Sequence, residues 1–327
     1  MRRGKFERLV REYISRLREL ASQPEATAEL SLRPALQRFL AGASEALGFN
    51  VHFLLPEPRR KEFGVPDFVA KRGHTVVGYV ETKPIFSDLD RLPERDREQI
   101  RRYREFLPNL LLTNFLEFRL YSEGREACRA RLLDREEFEG GEEPPAREVS
   151  ELESLLRRFL SATLPSLASP AELAEALGLR ARALKEAVLA ELSSNSNGPL
   201  AQLHEVYKKA LAPEMASEDF ADMYAQSVTY GLLFARLHHT EGRPFDRRAA
   251  FDALPRSIPV IRSLFWLALY EEPPARVGWL VDDIASLLAS CDVAEILRRY
   301  ENPIVHFYET FLAEYNPEER ERRGVYY

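Results

Sequence analysis

The sequence predicts an α/β unit with a mixed central sheet, followed by an all-α helical bundle. Three observations lead there. Before residue 135 the apolar periodicity alternates between helical and strand spacing, in the order helix, three strands, helix, two strands. After residue 150 almost every apolar run has helical spacing. Between them, Glu136-Glu137-Phe138-Glu139-Gly140-Gly141-Glu142-Glu143-Pro144-Pro145 lacks periodic apolar residues and reads as an acidic linker. The expected organisation is one domain over 1–135, a linker over 136–150 and a second domain over 151–327.

The first unit opens with Phe6, Leu9, Val10, Tyr13, Leu17 and Leu20 at helical spacing. A second helix is expected from about Leu30 to Leu47, with Pro34 tolerable in its first turn. Three strand candidates follow: Asn50–Leu55, the short Asp67–Ala70, and the β-branched, aromatic Thr75–Glu81. Gly73 makes a hairpin turn between the last two. A charged helix over about Leu92–Phe106 then leads to strands at Leu110–Thr113 and Glu117–Tyr121. In the second unit Ser169-Pro170-Ala171-Glu172 is a capping box with proline at the first helical position, starting a helix to about Leu177. Further helices fit Ser217–Leu237, Ile258–Tyr270, Trp279–Ala289, Val293–Tyr300 and Val305–Tyr315.

Composition narrows the function classes. The 327 residues carry 46 Lys+Arg and 52 Asp+Glu, a net charge of −6, which by itself discourages a nucleic-acid role. The average hides a division: residues 1–135 sum to +6, 136–150 to −5 and 151–327 to −7. No apolar run approaches the roughly 20 residues of a membrane span, and the basic start leads into a charged amphipathic stretch rather than a secretory leader. Cys128 and Cys291 lie far apart, which excludes a disulfide framework and a cysteine zinc site and fits a reducing cytoplasm.

The chemistry concentrates in Pro66-Asp67-Phe68-Val69-Ala70 and Val80-Glu81-Thr82-Lys83. Asp67 opens one strand and Glu81 closes the next, so a hairpin turning near Gly73 lays the two carboxylates side by side. Strand alternation puts Glu81 and Lys83 on one face while Thr82 points away. Two hard oxygen ligands and an ammonium around one point suit Mg²⁺, which is commonly held by one or two carboxylates plus phosphate and water. Such an ion makes hydroxide available near neutral pH and offsets charge building on phosphorus. Lys83 would orient or help deprotonate the attacking water, and offset the charge of the pentavalent phosphorus.

This arrangement resembles the PD-(D/E)XK nuclease superfamily, with Pro66-Asp67 and Glu81-Thr82-Lys83 as the matching residues and an αβββαβ core as the matching order. Gln99 and Tyr103, one turn apart on the following helix, resemble the Gln-x-x-x-Tyr motif of several subfamilies, in which the Gln helps position the site. The resemblance implies catalytic roles for Asp67, Glu81, Lys83 and Gln99, and a Mg²⁺ site (with Mn²⁺ as a substitute) on Asp67 and Glu81. Glu29, at the start of the second helix, is a further candidate ligand. Arg59, Arg60 and Lys61 are the candidates for DNA contact, since phosphate binding needs such charge. The arginines over 91–104 interleave with Glu94, Asp96, Glu98 and Glu105 and read equally well as a salt-bridged helix.

The segment Phe220–Leu232, with Asn302–Leu312 and Arg322–Tyr327, resembles the helical spacer of single-chain restriction–modification enzymes of the type IIG, IIL and ISP groups. There the spacer runs into an adenine-specific DNA methyltransferase that uses S-adenosylmethionine. The resemblance implies that this chain is the nuclease-and-spacer portion of such an enzyme. Double-stranded DNA would be its substrate, the methyltransferase and target-recognition modules its partners, and a second copy would be needed for a double-strand break. The rivals are a catalytically inactive nuclease fold that holds DNA or a partner, and a stand-alone repair or defence nuclease. There is no GxxxxGK[ST] phosphate loop, and the adjacent His238 and His239 cannot face one metal from a helix.

Overall fold

The computed structural model of the protein describes residues 2–22, 29–54, 65–73, 75–162, 167–239, 242–254, 259–271, 273–298, 300 and 303–316. The chain divides into two compact units, Met1–Pro56 with Pro66–Leu164 and Glu57–Val65 with Pro165–Tyr327.

In the first unit, helices α1 (Arg2–Ala21) and α2 (Glu29–Leu47) precede strands β1 (His52–Leu54), β2 (Phe68–Arg72) and β3 (Thr75–Thr82). Helix α3 (Glu94–Phe106) leads to β4 (Asn109–Thr113), β5 (Glu117–Ser122) and β6 (Arg125–Arg131), then to α4 (Arg135–Gly140) and α5 (Ala146–Ser161). The six strands lie in chain order in one mixed sheet. Only β3 and β4 run parallel, because α3 is the crossover that lets the chain re-enter in the same direction. Pro34 falls in the second turn of α2 rather than the first.

Strand β6 is absent from the sequence reading. Its residues, Arg-Glu-Ala-Cys-Arg-Ala-Arg, are largely exposed and carry little apolar signal, as suits a strand at the sheet edge. The turn before it did leave a mark. Glu123 (φ 48°) and Gly124 (φ 73°) both take the left-handed conformation that a tight two-residue hairpin requires.

The stretch expected to be a linker is built structure. Asp134 caps α4 by accepting from Glu137 N at 2.9 Å, and Glu137 Oε2 accepts from Asp134 N at 2.7 Å. Gly141, at φ 86°, ends the helix. Phe138 is buried in the core, and Arg18 Nε donates to its carbonyl at 2.9 Å. Helix α5 then presents Val149, Leu152, Leu155, Leu156, Phe159 and Leu160 to the same apolar cluster as α1, α2 and the sheet residues Phe53, Phe68, Val80 and Phe118. The boundary expected between 135 and 151 therefore moves to Leu164/Pro165. Acidic composition marked the segment's solvent face, and a single buried phenylalanine was too weak a signal to reveal its inner one.

The second unit contains α6 (Pro170–Ser194), α7 (Pro199–Ala210), α8 (Ser217–Leu237), α9 (Arg247–Ala253) and α10 (Pro259–Phe265). A π-helical turn, Trp266–Tyr270, is followed by α11 (Ala275–Ser290), α12 (Val293–Leu297) and α13 (Pro303–Tyr315). Helix α6 packs against α8, α11 and α13, and its Arg180 Nε donates to Asp283 Oδ2 of α11 at 2.7 Å with both side chains buried. The expected stop near Leu177 is overturned, since α6 runs through Gly178 to Ser194. A Cβ on Gly178 would lie 3.1 Å from Glu314 Cβ, so this glycine serves the close approach of α6 and α13 rather than ending a helix. Among the described residues, no helix is long and apolar enough to cross a membrane.

Candidate functional site

The site lies at one end of the β2–β3 pair. The antiparallel register matches Phe68 with Val80, so the next residues outward, Asp67 and Glu81, fall opposite one another as the hairpin required. Val80 belongs to the core cluster. Alternation therefore sends Glu81 to the other face of the sheet and Thr82 to the core face. Lys83 N donates to Thr113 O at 2.8 Å, which extends the parallel ladder one residue past β3 and returns Lys83 to the face of Glu81.

On that face Lys83 Nζ donates to Glu81 Oε1, to Asp96 Oδ1 and to Gln99 Oε1, each at 3.0 Å. These acceptors match the three N–H bonds of an ammonium. Gln99 Nε2 in turn donates to Tyr103 Oη at 3.0 Å. Asp96, Gln99 and Tyr103 are spaced i, i+3 and i+7 on α3, which sets them on one helix face. Glu81, Lys83, Gln99 and Tyr103 are all buried.

Burial alone would lower the pKa of Lys83, but the attraction of Glu81 and the hydrogen bonds to Asp96 and Glu81 outweigh it and hold the amine above its ordinary value. Lys83 thus stands as a buried cation that donates to three acceptors. The Tyr103 hydroxyl is held well above the usual phenol range, first by burial and then by the negative charges of Glu81 and Asp67.

Asp67 is connected differently from the expectation that both carboxylates and the ammonium meet at one point. Its Oδ2 accepts from Thr82 N at 2.7 Å and from Thr82 Oγ1 at 2.5 Å, and its Oδ1 is ion-paired with Arg33 Nη2 of α2. Arg33 Nε also donates to Thr82 Oγ1 at 3.2 Å. These bonds join Glu81, Lys83 and Gln99 on one side of β3 and Asp67, Thr82 and Arg33 on the other. Glu29 begins α2, but its side chain lies outside the described residues, as do Arg59, Arg60 and Lys61.

The arginines of α3 largely follow the salt-bridge reading. Arg97 pairs with Glu94, Arg101 with Glu98 and Glu105, and Arg102 with Glu98. Hydrogen bonds from Arg101 and Arg102 bring the Glu98 carboxyl down to about 2.

Three participants escaped the sequence reading. Arg33 follows the singled-out Glu29 by one helical turn, and that spacing was the available signal. Asp96 was grouped with the surface charges of α3, although it precedes Gln99 by three residues and Tyr103 by seven. Thr82 was expected to point away from Glu81 and Lys83 and does so. That orientation is what lets its hydroxyl meet Asp67 and Arg33.

Asp67 and Glu81 are hard oxygen donors at neighbouring strand ends, and their chemistry fits a divalent cation of the Mg²⁺ class. Among the described residues, no group of three or more His, Cys, Asp or Glu side chains is placed to form a fuller cage.

No known protein family and no curated protein matches the chain. Its structure is similar to a chain in the cryo-EM structure of the DrdV–DNA complex, with 19% identity and a TM-score of 0.37. The match covers 98% of this chain and 30% of that one, so this chain spans less than a third of its length.

Proposed function

We propose that the first unit is a Mg²⁺-dependent endonuclease domain that hydrolyses DNA phosphodiester bonds. The helical unit would connect it to the methyltransferase and target-recognition modules of a longer restriction–modification enzyme. The observation that carries the reading is the buried Lys83 ammonium, fixed on Glu81 and Gln99 at the strand end that Asp67 shares.

Asp67 and Glu81 would hold the cation, which when bound supplies an acidified water and positive charge beside the phosphate. Lys83 keeps the Glu81 carboxylate in place and holds a positive charge where negative charge develops on the phosphoryl oxygens. Gln99, anchored by Tyr103, fixes the direction of the Lys83 ammonium. With one such centre among the described residues, a double-strand break would need two copies.

The test is nicking of supercoiled plasmid by the full chain in Mg²⁺ or Mn²⁺. Asp67→Ala and Lys83→Ala are expected to abolish it while the circular dichroism spectrum stays unchanged. Undiminished cleavage by either variant overturns the assignment. One observation favours a second reading, a nuclease fold that holds DNA without cutting it: both oxygens of Asp67 are engaged by Thr82 and Arg33. Absence of Mn²⁺ binding with and without DNA would decide for that reading.

A further inference from the structure

We infer that Arg33 is an internal counter-ion that occupies Asp67 in the resting protein and transfers to a DNA phosphate, so that phosphate binding and cation binding reinforce each other. This rests on the reading of Asp67 as a cation ligand.

Among the described residues, Lys83 and Arg33 are the cations paired at the site, and their surroundings differ. Lys83 has its three hydrogen bonds directed to β3 and α3 and is 5% exposed, so it has little freedom to leave. Arg33 comes from α2 on the other side of the strand end and is 14% exposed, with its guanidinium on Asp67 Oδ1 and Thr82 Oγ1. Thr82 Oγ1 donates to Asp67 while accepting from Arg33, which closes a ring of three side chains around the carboxylate.

Charge makes this ring unfavourable to an arriving metal ion. Among the described residues, Asp67, Glu81 and Asp96 set three carboxylates against Arg33 and Lys83, which leaves little net negative charge among them while Arg33 stays. A divalent ion approaching Asp67 also meets the guanidinium, and this repulsion is weakly screened where both groups are largely shielded from solvent. A phosphodiester is the natural alternative partner. The planar guanidinium fork matches two phosphate oxygens as well as it matches a carboxylate. Once Arg33 transfers, Asp67 Oδ1 loses that ion pair and the local charge falls by a full unit. Arg33 is thus a positioning residue, acting on the cation site through Asp67.

Mn²⁺ binding to the full chain, followed by the electron paramagnetic resonance of the free ion, tests this. Without DNA, Arg33→Gln is expected to bind Mn²⁺ at least tenfold more tightly than the wild type. A merely structural role for Arg33 would weaken binding instead. Adding a short duplex, with the ions bound by the duplex alone subtracted, should tighten Mn²⁺ binding in the wild type and leave the variant unchanged. The salt dependence of duplex binding should lose about one unit of slope in the variant, as expected for one phosphate contact. Should Arg33→Gln fail to fold, the duplex effect in the wild type and the retained charge of Arg33→Lys, expected to bind Mn²⁺ as weakly as the wild type, carry the test. Equal or weaker Mn²⁺ binding by a folded Arg33→Gln, or a wild-type affinity indifferent to duplex, overturns this inference alone. No Mn²⁺ binding by the wild type in either condition overturns the nuclease reading with it.

Discussion

Lys83 Nζ donates to Glu81 Oε1 at 3.0 Å across a single intervening residue of the strand, and both side chains are about 5% exposed. A buried charge pair of this kind costs desolvation and is maintained only while each partner remains. Lys83→Met leaves the Glu81 carboxylate buried without its donor and is expected to destabilise the first unit by about 1–3 kcal/mol. A double-mutant cycle with Glu81→Gln in urea should give a coupling above about 0.5 kcal/mol. Additive effects would mean that the pair contributes nothing as a pair.

A second charge network braces the segment between β3 and α3. Arg119 of β5 is 3% exposed; it donates to Glu117 Oε1 at 2.6 Å and to both oxygens of Asp90 at 2.6 and 2.9 Å. Replacing Arg119 with Met leaves the buried Glu117 to Arg131 alone and is expected to cost about 1–3 kcal/mol. A loss below about 1 kcal/mol in equilibrium unfolding would contradict that role.

The same network fixes a pH dependence. Hydrogen bonds from Arg119 hold the Asp90 carboxyl below its ordinary value near 3.8. The sign follows from linkage: the stabilisation is fully present above that ordinary value and disappears as pH falls through the lowered one. Asp90 is 58% exposed, so its contribution is below about 1 kcal/mol. Thermal melts of wild type and Asp90→Asn should differ at pH 7 and converge towards pH 2. A gap that stays constant with pH would exclude the linkage.

Gly78 of β3 allows a close approach. A Cβ there would stand 2.6 Å from Asn109 Nδ2 and 2.7 Å from the Phe159 ring. Asn109 Nδ2 donates to Val77 O at 2.8 Å and to Phe159 O at 3.0 Å, tying the end of α5 to the central strands. Gly78→Ala is expected to destabilise by about 1–3 kcal/mol through overpacking, measured by urea titration. A neutral result would mean that α5 can shift freely on the sheet.

Truncation separates the two domain boundaries. A fragment ending at residue 164 retains α5 and should unfold cooperatively, whereas one ending at 135 loses the apolar face from Val149 to Leu160 and should not. Cooperative melting of the shorter fragment would restore the linker reading of 136–150.

Local signals carried much of this protein. The β2–β3 hairpin was legible because strand alternation and a left-handed glycine are properties of a few neighbouring residues, and they placed Asp67 opposite Glu81 and Lys83 beside Glu81. In the second unit α8, α11 and α13 were legible from apolar spacing, whereas α7 and α9 were not read at all and α6 was stopped short at Leu177, where Gly178 packs against α13 rather than capping a helix. Only the tertiary structure decided the rest. Arg33 meets Asp67 across 34 positions of sequence, and Asp96 meets Lys83 only once α3 folds back along the sheet. Phe138 and the α5 stripe gain meaning from a sheet whose order no local pattern encodes. A sequence fixes which face each residue presents along its own element. The partner that face meets depends on long-range packing, and that is what gave Lys83 its three acceptors and Asp67 its pairing with Arg33.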